Sequence, residues 1–355
     1  VTVAPAAPGR PVLVVLRALG LGDLLTAVPA LRALADGFPG HRRVLATQPA
    51  LAPLARSTGA VDEVVPARGL ASPLDPHLRG AAVAVNLHGR GPESHQLLLA
   101  AGPGRLVAFA HPEVAASTGG PRWRAGEHEV ARWCRLLEES GVPADPAALD
   151  LERPPGPVPG GAPGATLLHP GAGSPARRWP PARFAAVAAA ELARGRPVLV
   201  TAGPGEEALA HAVARLAVRA GTRQAAAPGP AVHAVGDDVL ALARLVAVAG
   251  RVVCGDTGVA HLATALATPS VVLCGPVSPA LWGPPAERPW HQALWKGRGG
   301  DPHGARPDPS LLALSVDEVL EALDGLGAPG ARPSRAGGHV GPPGRPQVAL
   351  APHRT

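Results

Sequence analysis

The chain contains no methionine, tyrosine or isoleucine, a single lysine (Lys296), a single asparagine (Asn86), three phenylalanines and three cysteines. Each scarcity removes a class of protein. Cys134, Cys254 and Cys274 are widely spaced, form no C-x-x-C pair and have no histidine pair at zinc-ligand spacing. A disulfide scaffold and a zinc ribbon are therefore excluded, and a reduced cytoplasmic compartment is expected. Cys254 and Cys274 each end an apolar run and read as small buried residues. Aromatic residues are only 3% of the chain, and its 33 basic residues are scattered without a stripe or a stacking platform. Nucleic acid is thus not an expected partner, despite a formal charge of +6. No window holds the ~18 uninterrupted apolar residues of a spanning helix. Near the N-terminus, Ala33-Leu34-Ala35 looks like a cleavage site, but Arg17 and Asp23 interrupt the apolar segment that would precede it, against a signal peptide. The missing residues are those with AT-rich codons. The excess of arginine is accordingly attributed in part to a GC-rich bacterial genome, in which Val1 would be read from a GTG start codon.

What the chain does have is length and apolar mass. Its 355 residues are 46% hydrophobic and 17% charged, enough to bury a core and more than one core usually serves. Val12-Leu-Val-Val-Leu16 is a continuous apolar run rich in β-branched residues, the pattern of a strand buried on both faces in a parallel sheet. A helix beginning near Asp23 and kinked at Pro29 should follow. Strands at Val44 to Thr47, Val83 to Leu87 and Leu106 to Phe109, with helices at Glu93 to Ala101 and Glu127 to Ser140, continue the alternation. Residues 1–150 are therefore expected to be one Rossmann-like α/β domain, and the proline- and glycine-rich stretch 151–164 a linker. The alternation restarts over 165–325, with strands near residues 165–169, 197–201, 232–235, 251–254 and 270–273 and intervening helices, as a second domain of the same class. A Gly/Pro/Arg tail, 326–355, is expected to be disordered.

In open α/β sheets ligands sit beyond the carboxyl ends of the strands, so the loops there carry the chemistry. The first, Arg17 to Asp23, is no dinucleotide fingerprint, because Leu25 stands where a third small residue is needed. Its Gly20 and Gly22 allow a tight turn and close approach, with Asp23 either at the cleft mouth or capping the helix, two compatible roles. Asn86, His88 and Arg90 follow a strand and, with Gly22, are acceptor-binding candidates; a plain solvated loop serves equally well. The third loop, His169 to Pro180, combines Gly171 and Gly173 with Ser174 and the adjacent Arg177 and Arg178, which suit a phosphate or pyrophosphate. Glu206, in Gly203-Pro-Gly205-Glu206, suits a helix start or a ribose diol. In Gly255-Asp256-Thr257-Gly258-Val-Ala-His261 a strand meets a helix whose first N–H groups would hold a phosphate or the sugar. Asp256, beside that helix start, is expected to be stabilised as an anion, and His261 either faces ligand or is a structural histidine.

Taken together, these pieces resemble the heptosyltransferase-like glycosyltransferases (glycosyltransferase family 9), which include the ADP-heptose:lipopolysaccharide heptosyltransferases. The resemblance rests on Leu21-Gly22-Asp23 with Pro29, His169-Pro-Gly-Ala-Gly running into Arg178-Trp179-Pro180, Gly203-Pro-Gly-Glu206, Gly255 to His261, and Gly275-Pro276 with Trp282-Gly-Pro284. It implies a GT-B architecture of two facing Rossmann-like domains, the first holding the acceptor and the second the nucleotide-sugar. Family members often have lysine at the position of Arg177 and aspartate at that of Asn86.

The expected activity is inverting, metal-independent transfer of a heptose-like sugar from a nucleotide-diphosphate donor, ADP-heptose or a relative, to a hydroxyl of a cell-envelope or other glycan acceptor. Asp23 is the expected catalytic base, with Gly171, Ser174, Arg177, Arg178, Glu206, Asp256, Thr257, Gly258 and His261 binding the donor. No cofactor is expected, and no Asp-x-Asp metal motif lies near the phosphate loops. The expected location is cytoplasmic, with peripheral association at the inner membrane face left open. Two rivals remain: a nucleotide-sugar-binding module without turnover, and a sugar-nucleotide epimerase.

Overall fold

The computed structural model describes residues 9–158, 162–221 and 229–327. The tail expected to be disordered lies outside these but for its first two residues.

The first half builds a sheet from β1 (Val12–Arg17), β2 (Arg42–Thr47), β3 (Glu63–Pro66), β4 (Val83–Asn86) and β5 (Arg105–Val107), all parallel, in the order β3-β2-β1-β4-β5. Between them run α1 (Leu21–Thr26), α2 (Val28–Gly37), α3 (Ala52–Ser57) and α4 (Glu93–Leu99), and α5 (Glu129–Glu138) follows. The helix expected to kink at Pro29 is two helices. The break falls at Ala27, and Pro29 takes the second position of α2, where the missing N–H leaves no bond unmade.

The second half repeats the plan with β6 (Thr166–His169), β7 (Val198–Ala202), β8 (Ala231–Ala234), β9 (Arg251–Gly255), β10 (Ser270–Leu273) and β11 (His291–Leu294). Their order, β11-β10-β9-β6-β7-β8, is the doubly wound 3-2-1-4-5-6 arrangement, again all parallel. Its helices are α6 (Pro181–Ala193), α7 (Glu207–Gly221), α8 (Val239–Val248), α9 (Gly258–Ala265), α10 (Pro279–Trp282), α11 (Pro309–Leu312) and α12 (Val316–Asp324). A capping box closes the start of α12, Ser315 with Glu318, and Lys296 just beyond β11 pairs with the same Glu318. The chain is thus two parallel-sheet α/β domains.

The central strands β1, β4, β6 and β9 are almost wholly buried, as their apolar runs require. One cluster of buried side chains runs unbroken from Leu24, Val28 and Leu31 of the first half to Val259, Leu262 and Leu266 of the second, so the two halves share apolar surface. The segment between them has no helix or strand at its described residues, yet it is pinned from both sides. Arg32 donates to the Ala148 and Asp150 carbonyls (2.7 and 2.6 Å), Arg288 pairs with the Asp150 carboxylate (2.7 Å), and the Leu151 N–H donates to the Ala265 carbonyl (2.7 Å). All three cysteines are buried free thiols. Among the described residues no helix is long and apolar enough to cross a membrane.

Candidate active site

In each sheet the strand order reverses beside the first strand, between β1 and β4 and between β6 and β9. A crevice opens at such a point because the flanking connections leave in opposite directions. The first turn of α1, after β1, carries Gly22 and Asp23, and the end of β4 with its following loop carries Asn86, His88 and Arg90. The segments after β6 and β9 carry Gly171 to Arg178 and Asp256 to His261.

The two crevices meet where α1 and α9 touch. A Cβ on Gly22 would lie 2.8 Å from the His261 ring, and one on Gly258 would lie 2.7 Å from Leu21 Cβ. Only glycine permits this approach of the two halves at both positions.

Asp23 is the third residue of α1 rather than its cap. Its Oδ2 accepts from the Gly20 N–H (3.1 Å), and its Oδ1 lies 3.3 Å from Arg17 Nη2. The side chain keeps 27% of its surface exposed. Burial raises its pKa above the usual value, Arg17 opposes that shift, and the nearby Glu129 carboxylate adds to it. A carboxyl so placed is a competent proton acceptor that still reaches solvent.

Arg17 itself is fully buried at the end of β1. It donates to the carbonyls of Asp23 (2.9 Å) and Leu87, to Thr26 Oγ1 (3.3 Å) and to Glu129 Oε1 (3.0 Å), and its guanidinium stacks 4.8 Å from the Trp133 ring centroid.

The acceptor candidates divide. Asn86 is completely buried and its groups are taken: Oδ1 accepts from the His88 N–H (2.9 Å), and Nδ2 reaches Ser94 Oγ (2.8 Å) and His95 Nδ1 (3.0 Å). It holds the loop and has nothing left for an acceptor hydroxyl, which corrects the expectation. His88 accepts from the Ala18 N–H through Nδ1 (3.2 Å). Burial and the Arg17 charge push its pKa down to about 4, so it is neutral. Arg90 is exposed beside it.

In the second half Gly171 serves a purpose other than the expected one. A Cβ there would fall 1.9 Å from the Glu206 carboxylate, so the glycine makes room for Glu206. That carboxylate accepts from the Gly203 N–H (3.1 Å) and lies 3.6 Å from His169 Nε2 and 3.9 Å from Arg178 Nη2. Ser174 is buried and donates its hydroxyl to the Pro302 carbonyl, so it fastens the 301–304 loop and is not a free phosphate donor. Arg178 donates twice to the Ala172 carbonyl (3.0 and 2.8 Å). Arg177 bridges two loops through Nη1 to the Asp256 carbonyl (3.3 Å), while its buried Nε has no partner. Thr257 Oγ1 is likewise buried without a hydrogen-bond partner.

The Asp256 anion is not stabilised as expected. Burial outweighs the pull of Arg177 and pushes its pKa up to about 6. A desolvated carboxylate loses more than a nearby helix end returns.

A cleft of about 230 Å³ lies between the halves, walled by Leu21, Leu51, His169, Glu206, Thr257 and Gly258 among others. Thr257, Gly258 and Glu206 therefore meet at one cavity as expected. His261 does not join them. It lines a separate, larger and mostly apolar cavity of about 450 Å³ with Thr26, His128 and Pro284, and its ring stands edge-on to Trp282 (5.8 Å between centroids). Burial and the neighbouring His128 and Arg17 lower its pKa to about 4. His128 caps α5 and donates through Nε2 to the Gly283 carbonyl (3.0 Å), a direct tie between the halves. Among the described residues, no three His, Cys, Asp or Glu gather in a way that could hold a metal ion.

Two facing Rossmann-like domains with loaded switch points are the GT-B glycosyltransferase architecture. The family model described as glycosyltransferase family 9 (heptosyltransferase) matches residues 123–297, and that match together with the fold indicates a glycosyltransferase. Solved structures agree in fold. A glycosyl transferase family 9 protein from Veillonella parvula is 18% identical, covering 90% of this chain and 98% of its own, with a TM-score of 0.70. The E. coli ADP-heptose lps heptosyltransferase II is 19% identical over 88% of this chain and 97% of its own, with a TM-score of 0.68. The E. coli heptosyltransferase WaaC with ADP is 18% identical over 88% and 98%, with a TM-score of 0.65. No curated protein matches the sequence.

Sequence reasoning missed Arg17, Glu129 and His128 as site residues. Arg17 was visible as a charge ending an apolar strand, a placement that burial makes costly without partners.

Proposed function

We propose that the protein transfers a heptose-like sugar, with inversion and without a metal ion, from ADP-heptose or a related nucleotide-diphosphate sugar to a hydroxyl of a glycan acceptor. The observation that carries this reading is the contact of α1 with α9, which sets the Asp23 loop of one half against the Thr257-Gly258 helix start of the other. Asp23 takes the proton of the acceptor hydroxyl. The oxygen attacks the anomeric carbon as the bond to the β-phosphate oxygen breaks, and the nucleoside diphosphate leaves with the bonding pair. Arg177, Arg178 and the first N–H groups of α9 meet the charge that develops on the leaving group. Glu206, at the wall of the cleft, accepts from hydroxyls of the donor. The domain division at residues 150 and 165, the cytoplasmic location and contact with the inner membrane face belong to the same proposal. ADP as the nucleotide is supported by the ADP-bound and ADP-heptose-named relatives of the same fold.

Asp23→Asn tests the reading directly. It should leave donor binding nearly intact while turnover falls by roughly two or more powers of ten. Near-normal turnover in the variant would remove Asp23 as the base. A thermal-shift screen of ADP-, GDP- and UDP-sugars, followed by incubation of the stabilising donor with and without acceptor, separates transferase from epimerase and from a binding module. Consumption of donor without acceptor to an epimeric sugar, or binding without any product, would each overturn transfer.

A further inference from the structure

The deepest ion cluster of the first domain lies one side chain away from Asp23, and its geometry says more than that Asp23 has a charged neighbour. Arg17 Nη2 carries two protons and faces three acceptors: Glu129 Oε1 at 3.0 Å, Asp23 Oδ1 at 3.3 Å and Thr26 Oγ1 at 3.3 Å. They compete, and the shortest bond goes to Glu129. That carboxylate is itself locked. Its Oε1 also accepts from Trp133 Nε1 (2.8 Å), its Oε2 pairs with Arg132, and α5 holds its backbone. Arg17 is equally fixed, with Nε on the Asp23 carbonyl and Nη1 on the Leu87 carbonyl, and no water reaches it. The charge of Arg17 is thus matched by Glu129, a residue that lies 112 positions further along the chain.

We propose that Glu129 is a positioning residue for the reaction: by engaging Arg17 it keeps Asp23 out of a tight ion pair and free to take the acceptor's proton. This rests on the assignment of Asp23 as the base. A buried arginine without Glu129 would turn its full charge on Asp23, and a carboxylate clamped by an arginine is a weak proton acceptor. The direction of the pKa of Asp23 agrees, since Glu129 raises it against the pull of Arg17. The other titratable groups around the cluster do not substitute for Glu129. His88, from the loop after β4, and His261, from α9, are both held neutral down to about pH 4. His128 and Arg132, from α5 and its cap, bring no negative charge.

The test is Glu129→Gln, which keeps the size and an acceptor oxygen for Arg17 and Trp133. Carboxyl carbon NMR on aspartate-labelled protein, with the Asp23 signal assigned by its loss in Asp23→Asn, reads the ionisation of Asp23 without needing substrate or turnover. Asp23 should titrate about one pH unit lower in Glu129→Gln, and the acid limb of the kcat profile should move down with it while its plateau drops. Arg132→Gln removes Glu129's other cation and is the control for a merely structural role. It should lower the melting temperature without moving the titration of Asp23. An unmoved Asp23 titration in folded Glu129→Gln overturns the proposal. So does an equal shift in Arg132→Gln. If Glu129→Gln does not fold, Arg17→Lys supplies the second arm: a lysine cannot serve the same five acceptors, and Asp23 should then titrate higher than in wild type, with no change counting against the proposal. Failure of the base assignment is separately visible, because Asp23→Asn would then retain turnover whatever Glu129 does.

Discussion

Asp256 holds its carboxyl in a place that disfavours the charge it would need to bind donor hydroxyls as an acceptor. Its pKa is near 3.8 when free and about 6 in the fold, so the folded state binds the proton more tightly. The resulting contribution to stability is present below pH 3.8 and is lost as the pH rises through 6, a loss on the order of 3 kcal/mol. Asp256→Asn should accordingly raise the melting temperature at pH 8 and bring little gain at pH 4, while weakening donor binding; calorimetry at the two pH values checks it, and an equal gain at both would deny the strain. The two adjacent arginines of the loop after β6 should also separate. Arg177 has a buried nitrogen without a partner and touches the Asp256 loop, whereas Arg178 is committed to the Ala172 carbonyl. Arg177→Ala should therefore weaken nucleoside diphosphate binding about tenfold or more and Arg178→Ala less, as read by calorimetric titration. Neither rank was legible in the sequence, where the arginines are simply adjacent. Likewise Asn86, Gly171 and Ser174 had the right chemistry at the right strand ends, but what each residue had already been used for depends on residues 2 to 128 positions away.

At the scale of elements, the strands that the sequence made plain are the central ones. β1, β6, β9 and β10 are continuous apolar runs because helices cover both their faces. Of the four edge strands, β5 and β8 were legible near Leu106 and Val232, whereas β3 and β11, Glu63–Pro66 and His291–Leu294, escaped notice, being half buried and without a continuous apolar run. The loops of the site were legible for the same reason as the central strands, since each loaded loop begins where an apolar run stops. The packing of α1 on α9 was not, as nothing local marks Gly22 and Gly258 as partners. It supplies a sharp prediction. Gly258→Ala should force Leu21 aside, cost about 1–3 kcal/mol of stability and lower turnover more than it lowers binding of free nucleotide. A variant with wild-type melting temperature and kinetics would mean that the two helices do not need to meet.

Considered as a whole molecule, the protein should be sensitive to acid through its histidines. His88, His261 and His291 are each pushed down to about 4 by burial, whereas an unfolded chain protonates them near 6.5. Their contribution to stability is complete above pH 6.5 and drains away as the pH falls toward 4, because the unfolded state binds more protons in that window. A melting temperature that rises on acidification from pH 6.5 to 4.5 would contradict this, the opposing carboxylates Asp23 and Asp256 being two groups against three. Turnover should survive excess chelator, since in the proposed reaction the leaving diphosphate is met by Arg177, Arg178 and the N–H groups of α9; activity lost to EDTA and restored by magnesium would defeat that.

The sole lysine has a consequence for anyone who wishes to watch the two halves move. Lys296 sits on the second domain beyond β11, half-exposed and, among the described residues, bound only to Glu318, which keeps its hydrogen bonds to Ser315 when the amine is gone. Side-chain acylation by an amine-reactive dye thus goes to one known place, without mutagenesis and with the fold's other contacts untouched. Paired with a second dye on a cysteine introduced into the first domain, where the native thiols are buried, such a label makes the distance between the halves a quantity that can be followed in real time as donor and acceptor arrive.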